Sequence, residues 1–342
     1  IVVAGDLFHS VRPTNAAIIF AFREFSRLRA ALPDAPIVLI AGNHDTPRSS
    51  ETGSILSLFG DLDVHVATME AKRFSFPELD LSVLAVPHQA LAGDRSELRP
   101  FGTEKHQVMV LHGEVEGVFP ADRTAAEYGG ALLTVGEMAP DAWSYVALGH
   151  YHVRHEVAPR VWYAGSLEYV SSNIWGELKD ERERGVSGKG WLLVDLESGV
   201  VTPQPIELAR RVLDLAPLSA EGLTAADLDR QIAERLGGVP GGIAEQIVRL
   251  RVFDVPRHIA RDLDHVAIRA YKAEALHLAL DLRRPEIRRV VGMGAPGRRQ
   301  TLPELVRDFL ERRPLPAGLE RERFVREGVE LVETVERELA GA

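Results

Sequence analysis

The chain has 342 residues, 45% hydrophobic and 26% charged, room for about two domains of ordinary globular make-up. That excludes a mainly disordered chain and a collagen-like fibre, and no apolar run approaches the roughly 18 residues a membrane-spanning helix needs. No cysteine is present and the net charge is −10, so disulfides, zinc knuckles and thiol nucleophiles are excluded, and any grip on a polyanion must come from local basic patches or bound cations.

The first 170 residues repeat one pattern, a short apolar run followed abruptly by polar residues. Ile1-Val2-Val3-Ala4 leads into Gly5-Asp6-Leu7-Phe8-His9, and Ile37-Val38-Leu39-Ile40 into Gly42-Asn43-His44-Asp45. Val108-Met109-Val110-Leu111 leads into His112-Gly113, and Tyr145-Val146-Ala147-Leu148 into Gly149-His150-Tyr151-His152. Runs of this length bounded by glycine read as strands buried on both faces. The spacing of Ile18, Ile19, Phe22, Phe25 and Leu28 predicts a helix over 14–31. Its apolar residues extend around most of its circumference, which reads as burial. Strands alternating with helices mean an α/β domain, whose ligands sit beyond the carboxyl ends of the strands. The chain opens at Ile1, inside a strand-like run, so residues upstream of it are expected.

Further strands are expected at 161–165 and 190–196, and Pro203 and Pro205 mark a boundary. From 206 to 282 the pattern changes to a smaller α+β unit. Thr224 and Asp227 form a capping box for a helix that ends at Gly237-Gly238. A strand at 246–253, a helix near 260–275 and a strand near 276–282 follow. Residues 283–300 hold six arginines among prolines and glycines and read as a linker, either a solvated connector or a polyanion contact. Thr301-Leu302-Pro303-Glu304 starts a helix that Pro314-Leu315-Pro316 stops. A second helix, about 319–340, carries Val325, Val329, Val332, Val335 and Leu339 on one stripe. Two such helices cannot bury that stripe alone, so a partner or the chain's own body must cover it.

Asp6, Asn43, His112, His150 and His152 all fall at expected strand ends. One carboxylate, one amide oxygen and three imidazoles suit divalent metals such as Mn, Fe or Zn, and without thiolates a closed structural zinc site is not expected. A phosphodiester attacked by hydroxide gains from two cations roughly 3.5–4 Å apart, and Asp6 is the acid placed to bridge them. The remaining histidines lie in polar or loop contexts without ligand spacing, with His88 the mild exception as a groove-lining candidate.

Gly5-Asp6-Leu7-Phe8-His9, Gly42-Asn43-His44-Asp45, His112-Gly113 and Gly149-His150-Tyr151-His152 together resemble the motifs of the calcineurin-like metallophosphoesterases. The Leu-Phe-His after the Asp narrows the resemblance to SbcD/Mre-type DNA repair nucleases. Tyr163-Ala164-Gly165-Ser166-Leu167-Glu168 and Gly188-Lys189-Gly190-Trp191 resemble that family's later strands. The specific motifs cover about 1–196, while 206–282 and 301–340 match only in architecture.

The resemblance implies a two-sheet α/β sandwich flanked by helices over 1–203, N-terminally incomplete. A small α+β capping domain would follow over 204–282, then an Arg-rich linker over 283–300 and a two-helix partner-binding tail over 301–342. It implies two divalent metal ions, Mn in this family. Asp6 would bridge them, Asn43, His112 and His150 would complete one site, and His152 would help hold the other. His44 would face the leaving oxygen, Asp45 would orient its ring, and His9 would contact the phosphate. The family's Asp-x-His motif on an earlier strand has no counterpart here, so the second site is incomplete. The expectation is a cut active enzyme rather than a crippled one.

The implied function is that of the nuclease subunit of an SbcCD-like complex: exonuclease action on duplex DNA ends, endonuclease action on single strands. A homodimer and an SMC-like ABC-type ATPase (SbcC-like) bound through 301–340 would be its partners, with no membrane and a cytoplasmic location. Two alternatives stay open. One is a metallophosphoesterase acting on cyclic nucleotides or other small phosphodiesters. The other is a catalytically weak scaffold that docks DNA ends to the ATPase.

Overall fold

In the strand Ile37–Ile40 every side chain is buried, as expected of a four-residue apolar run flanked on both faces. The computed structural model describes residues 1–46, 53–93, 95, 98–118, 132–186, 188–285, 301–312, 315 and 320–340. Residues 1–284 form one compact unit and 285–342 another.

In the first unit, β1 (Val2–Val3), β2 (Ile37–Ile40) and β3 (Val64–Ala67) make a parallel three-stranded sheet. Between β1 and β2 runs α1 (Asn15–Ala31), started by the Thr14 side chain, which accepts from the Ala17 N–H. Its Phe25 is buried with Phe8, Leu56 and Phe59 against this sheet, whereas Ile19 and Phe20 are exposed. Burial therefore accounts for one face of this helix only.

The second sheet has six strands. They are β4 (Lys72–Phe76), β5 (Leu81–Val86), β6 (His106–His112), β9 (Tyr145–Gly149), β10 (His155–Ala158) and β11 (Val161–Tyr163). Their order is β10-β11-β9-β6-β5-β4, parallel in the middle with an antiparallel strand at each edge. A short parallel pair, β7 (Glu114–Val115) and β8 (Leu132–Leu133), leaves the end of β6, and the one-turn α2 (Val135–Met138) follows with a capping box from Thr134. Val38, Ile40 and Ala67 of the first sheet share a core with Val83, Ala85, Val108, Val110 and Tyr145 of the second, so both sheets direct their strand ends to one edge.

Next come α3 (Ile174–Glu183) and the antiparallel pair β12 (Gly190–Val194) and β13 (Val201–Pro205). Residues 212–282 then form a parallel sheet of β14 (Val212–Asp214), β15 (Leu218–Ser219), β16 (Ile247–Phe253) and β17 (His277–Leu282). Against it lie α4 (Ala225–Gly237), α5 (Arg257–Asp262) and α6 (His265–Glu274), with an apolar core of their own built on Leu228, Ile232, Val248, Leu250 and Val252. The capping box at Thr224 forms as expected. The single helix expected near 260–275 is two, because Asp264 caps a fresh start by accepting from the N–H groups of Val266 and Ala267. Arg182 on α3 pairs with Asp214 at 2.7 Å, and Asp214 also takes Arg249 and Arg251.

The second unit holds α7 (Leu302–Arg312) and α8 (Arg321–Ala340). Arg321 donates to the Leu310 and Glu311 carbonyls at the end of α7, and Val329 is buried. Leu302, Leu305 and Phe309 of α7 and Leu331 and Val335 of α8 stay exposed. Most of the Arg-rich linker, the proline stop and the Leu339 side chain lie outside the described residues. Among the described residues no helix is long and apolar enough to cross a membrane.

Candidate metal centre

Close backbone approach at the shared sheet edge explains the glycines in the motifs. A Cβ on Gly149 would collide with the Ala4 carbonyl and crowd the His112 ring, and one on Gly42 would collide with the Asp6 carboxylate. Only hydrogen at these two positions lets β1, β2, β6 and β9 bring their polar ends together. Register completes the arrangement, since His112 at the end of β6 pairs with Gly149 at the end of β9.

The ring of His112 is buried and its Nδ1 lies 2.8 Å from the Ala4 carbonyl oxygen. A carbonyl only accepts, so Nδ1 carries the hydrogen, and in the neutral ring Nε2 is a lone pair. That Nε2 faces Asn43 Oδ1 at 3.0 Å, Asp6 Oδ2 at 3.2 Å and His150 Nδ1 at 3.3 Å. His150 Nδ1 is also 3.0 Å from Asn43 Oδ1. Oxygen and nitrogen acceptors turned toward one point repel each other unless a cation lies among them. One carboxylate, two imidazoles and an amide oxygen are a donor set for Mn, Fe or Zn. Asp6, His112 and His150 offer ligand atoms all within 4.8 Å of one another, so the residues present fit a divalent metal.

Two of these residues adopt the left-handed region, Asp6 at φ 50° and His150 at φ 110°. A β-carbon is disfavoured there, and such strain persists only where surrounding contacts over-determine it. For Asp6 those contacts include the His44 N–H, which donates to Oδ1 at 2.9 Å. Burial works against the Asp6 charge, but His112 and the His44 N–H outweigh it and hold its carboxyl down at about 2. Burial, with His112 beside it, pushes His150 down to about 3, so its ring is neutral at physiological pH.

His44 and Asp45 depart from the expected pairing. Asp45 is buried, and its two oxygens accept from the N–H groups of Leu7 at 2.8 Å and Gly42 at 2.6 Å. It therefore ties the loop after β1 to the loop after β2 instead of orienting the His44 ring. Burial, then the Asp6 charge, raises its carboxyl to about 6. The His44 ring is set by His9: Nδ1 donates to the His9 carbonyl at 3.0 Å, and the two rings stack at 5.1 Å. His88 lies beside the cluster, its ring edge-on to His112 at 6.2 Å.

His152 is outside the tight cluster and has surroundings of its own. Its carbonyl accepts from Lys189 Nζ at 3.1 Å and from the Ser166 N–H at 3.0 Å. Its Nδ1 faces Glu177 Oε2 at 3.7 Å. Lys189, 1% exposed, is clasped by Glu177 and by Glu181 at 3.0 Å, and Tyr169 donates to Glu181 at 2.7 Å. On the other side, Glu114 Oε1 lies 3.4 Å from His150 Nε2, both side chains buried. Tyr163 holds that segment by donating to the Gly113 carbonyl and accepting from the Val115 N–H. Glu114, Glu177 and Lys189 are not among the expected site residues. The available signal is their position, Glu114 two residues past His112 and Lys189 between two glycines just before β12.

No protein-family model matches the chain. Among curated proteins it is similar to the DNA double-strand break repair protein Mre11 of Sulfurisphaera tokodaii, 27% identical over 65% of this chain and 56% of that one. The Mre11 protein of Methanocaldococcus jannaschii is 26% identical over 60% of this chain and 53% of its own length. The SbcD component of the nuclease SbcCD from Bacillus subtilis is 29% identical over 44% of this chain and 46% of its own. The chain spans about half the length of the curated relatives it matches. With a candidate metal-binding donor set at the shared edge of two sheets, and relatives of both names matching the same chain, its sequence resembles that of the Mre11/SbcD-type nucleases.

Proposed function

We propose that this chain is the nuclease subunit of an SbcCD-like DNA repair complex, hydrolysing DNA phosphodiesters with exonuclease action on duplex ends and endonuclease action on single strands. The convergence of Asp6, Asn43, His112 and His150 on one point carries the reading. Asp6 would bridge two manganese ions, with Asn43, His112 and His150 on one of them and His152 on the other. Bound there, the metals neutralise the phosphate and lower the pKa of the attacking water. The net charge of −10 makes such cations the natural counter-charge for a DNA backbone.

His44 is the acid at the leaving oxygen. Because its Nδ1–H is committed to the His9 carbonyl, its Nε2 is the nitrogen through which a proton passes. His9 stacks on that ring and would contact a phosphate oxygen. Asp45 acts one step back, keeping the Asp6 and His44 loops in register.

In the same reading 1–203 is the nuclease domain, 204–282 the cap, 283–300 a linker and 301–342 the tail. The exposed Ile19 and Phe20 on α1 support a homodimer contact, and the exposed Leu302, Leu305 and Phe309 support a hydrophobic seat for the ATPase on 301–340. The test is Mn-dependent cleavage of end-labelled duplex DNA, with His44→Ala as the comparison. The expected result is cleavage abolished by chelator and lowered about 10²-fold or more by His44→Ala, with Mn binding retained. Hydrolysis of a small phosphodiester with none of DNA would favour the small-diester reading. Mn binding with no hydrolysis of either would favour the scaffold.

A further inference from the structure

Two large aliphatic side chains, Leu167 and Val170, stand 60% and 51% exposed on the segment that follows β11. Single exposed aliphatics are common on any protein surface, but the place of these two is particular. Strand β11 runs parallel to β9 with Tyr163 opposite Leu148, so the chain after it leaves at the same edge as the candidate metal centre. Gly165 then passes directly against the 152–154 backbone. A Cβ on it would lie 3.0 Å from the His152 carbonyl oxygen and 2.9 Å from the Arg154 backbone nitrogen. The Ser166 N–H donates to that same carbonyl at 3.0 Å, and Leu167 is the next residue.

The segment is also held by its own side chains. Ser166 Oγ donates to the Glu168 carbonyl at 2.7 Å. The Tyr169 hydroxyl donates to Glu181 at 2.7 Å, and its ring lies 4.4 Å from Lys189 Nζ, which itself donates to the His152 carbonyl. Tyr169 is thus committed inward, while Leu167 and Val170 on either side of it are left to solvent. A surface fixed in this way gives up little further freedom when something packs on it. Its charge says what that is. Residues 164–173 hold no lysine or arginine, and their one ionisable acid, Glu168, is exposed. A phosphate would be repelled by Glu168 and gain nothing from Leu167 or Val170. A nucleobase is uncharged, and its faces need apolar cover.

We propose that Leu167 and Val170 form an apolar rest for an unpaired base of the strand being cut, in the nucleotide beside the phosphate at the candidate metal centre. The proposal rests on the nuclease reading above and adds a preference to it. A paired and stacked base has no face free for this contact, so single-stranded or frayed DNA is favoured. Backbone and base are then recognised apart, the phosphate by the metals and the base by this segment. Packing on the face of a base is tolerant of sequence, because every base has one.

The test measures binding of two labelled oligonucleotides to the whole chain in Mn, with His44→Ala present throughout so that nothing is cut. The two have equal length and charge, one an ordinary single strand and the other with every base removed. The parent chain is expected to prefer the ordinary strand by about 10-fold or more. Adding Leu167→Ser with Val170→Ser abolishes that preference by weakening the ordinary strand alone. Binding of the abasic strand, its salt dependence and Mn affinity stay as they were, since no phosphate contact is lost. Leu167→Trp enlarges the rest and tightens the ordinary strand relative to the parent. A preference that survives the serine substitutions overturns the proposal, as does equal weakening of both strands with Mn binding intact. If the serine variant misfolds, no gain from Leu167→Trp overturns it equally. A parent chain that binds both strands alike overturns the proposal and leaves the nuclease reading standing, whereas one that binds neither overturns both.

Discussion

Gly149 lies against the carbonyl of Ala4 with no room for a Cβ between them, and that same carbonyl accepts the Nδ1–H of His112. One peptide oxygen thus sets both the spacing of β1 from β9 and the tautomer of a candidate ligand. Gly149→Ala must push the backbone of one strand away, because the obstacle is main chain and cannot rotate aside. We expect a loss of about 2–3 kcal/mol in urea unfolding, with Mn affinity falling alongside as His112 loses its acceptor. A fully stable Gly149→Ala protein with unchanged Mn binding would show that the carbonyl sets neither.

His150 combines a ring in the candidate metal cluster with φ of 110°, a conformation in which a β-carbon is strained. Substituting the ring away separates the two effects. His150→Ala and His150→Gly both lose the imidazole, but only glycine accepts the backbone without strain. His150→Gly should therefore be the more stable of the two by about 1 kcal/mol, the reverse of the order seen in a helix or strand interior. Both should bind Mn equally weakly in calorimetric titration.

The strand ends and the polar residues they deliver are legible because each follows a continuous apolar run, and such runs report burial on both faces directly. The helix α3 is not, because its buried face is charged. Glu177, Asp180 and Glu181 are buried there, so the inward stripe is acidic and a search for apolar periodicity passes over it. The same holds for Lys189, whose neighbours Gly188 and Gly190 suggest an exposed turn while the side chain is 1% exposed. The family resemblance implies Asp45 as the orienter of His44. Its actual partners, the N–H groups of Leu7 and Gly42, depend on how two loops meet, and no local pattern encodes that.

Lys189 gives a direct measure of the acidic cluster. Lys189→Met keeps the length of the side chain but leaves Glu177 and Glu181 buried without their cation. Breaking a buried pair from one side costs about 3–5 kcal/mol, and that loss is expected in denaturant unfolding. Adding Glu177→Gln and Glu181→Gln to Lys189→Met should recover much of it, since the uncompensated charges are then gone. No recovery would mean that Lys189 contributes by packing on Tyr169, whose ring lies 4.4 Å from its Nζ.

Asp214 gathers Arg182, Arg249 and Arg251 while only 3% exposed, joining α3 to the sheet of residues 212–282. Burial alone would raise its carboxyl, but Arg249 and Arg182 first, then Arg251, hold it down at about 2. A carboxylate depressed on folding contributes stability that is present above its unfolded value, about 3.9. That stability is lost as pH falls through the folded value. Asp214→Asn should thus be less stable than wild type at pH 7 by about 2–3 kcal/mol, and the two should converge between about pH 4 and pH 2. Urea unfolding across that window checks it, and a gap independent of pH would assign the effect to shape rather than charge.

Metal itself supplies the remaining test. A cation that binds the folded chain at 100 times its dissociation constant adds about 2.7 kcal/mol, so Mn should raise the unfolding midpoint and chelator should return it. Asp6→Asn should remove most of that response, because Asp6 supplies the only carboxylate within the tight donor cluster among the described residues. The metal-free Asp6→Asn protein should itself be less stable at pH 7, because a carboxyl held down at about 2 stabilises the folded chain when ionised, so the Mn response is read as a midpoint shift within each variant. Acid should erase the Mn response as well: a metal-bound His112 or His150 needs its lone pair, and protons compete for it as the pH falls. A Mn-dependent midpoint shift that survives Asp6→Asn would place the cation somewhere other than the edge where β1, β2, β6 and β9 end.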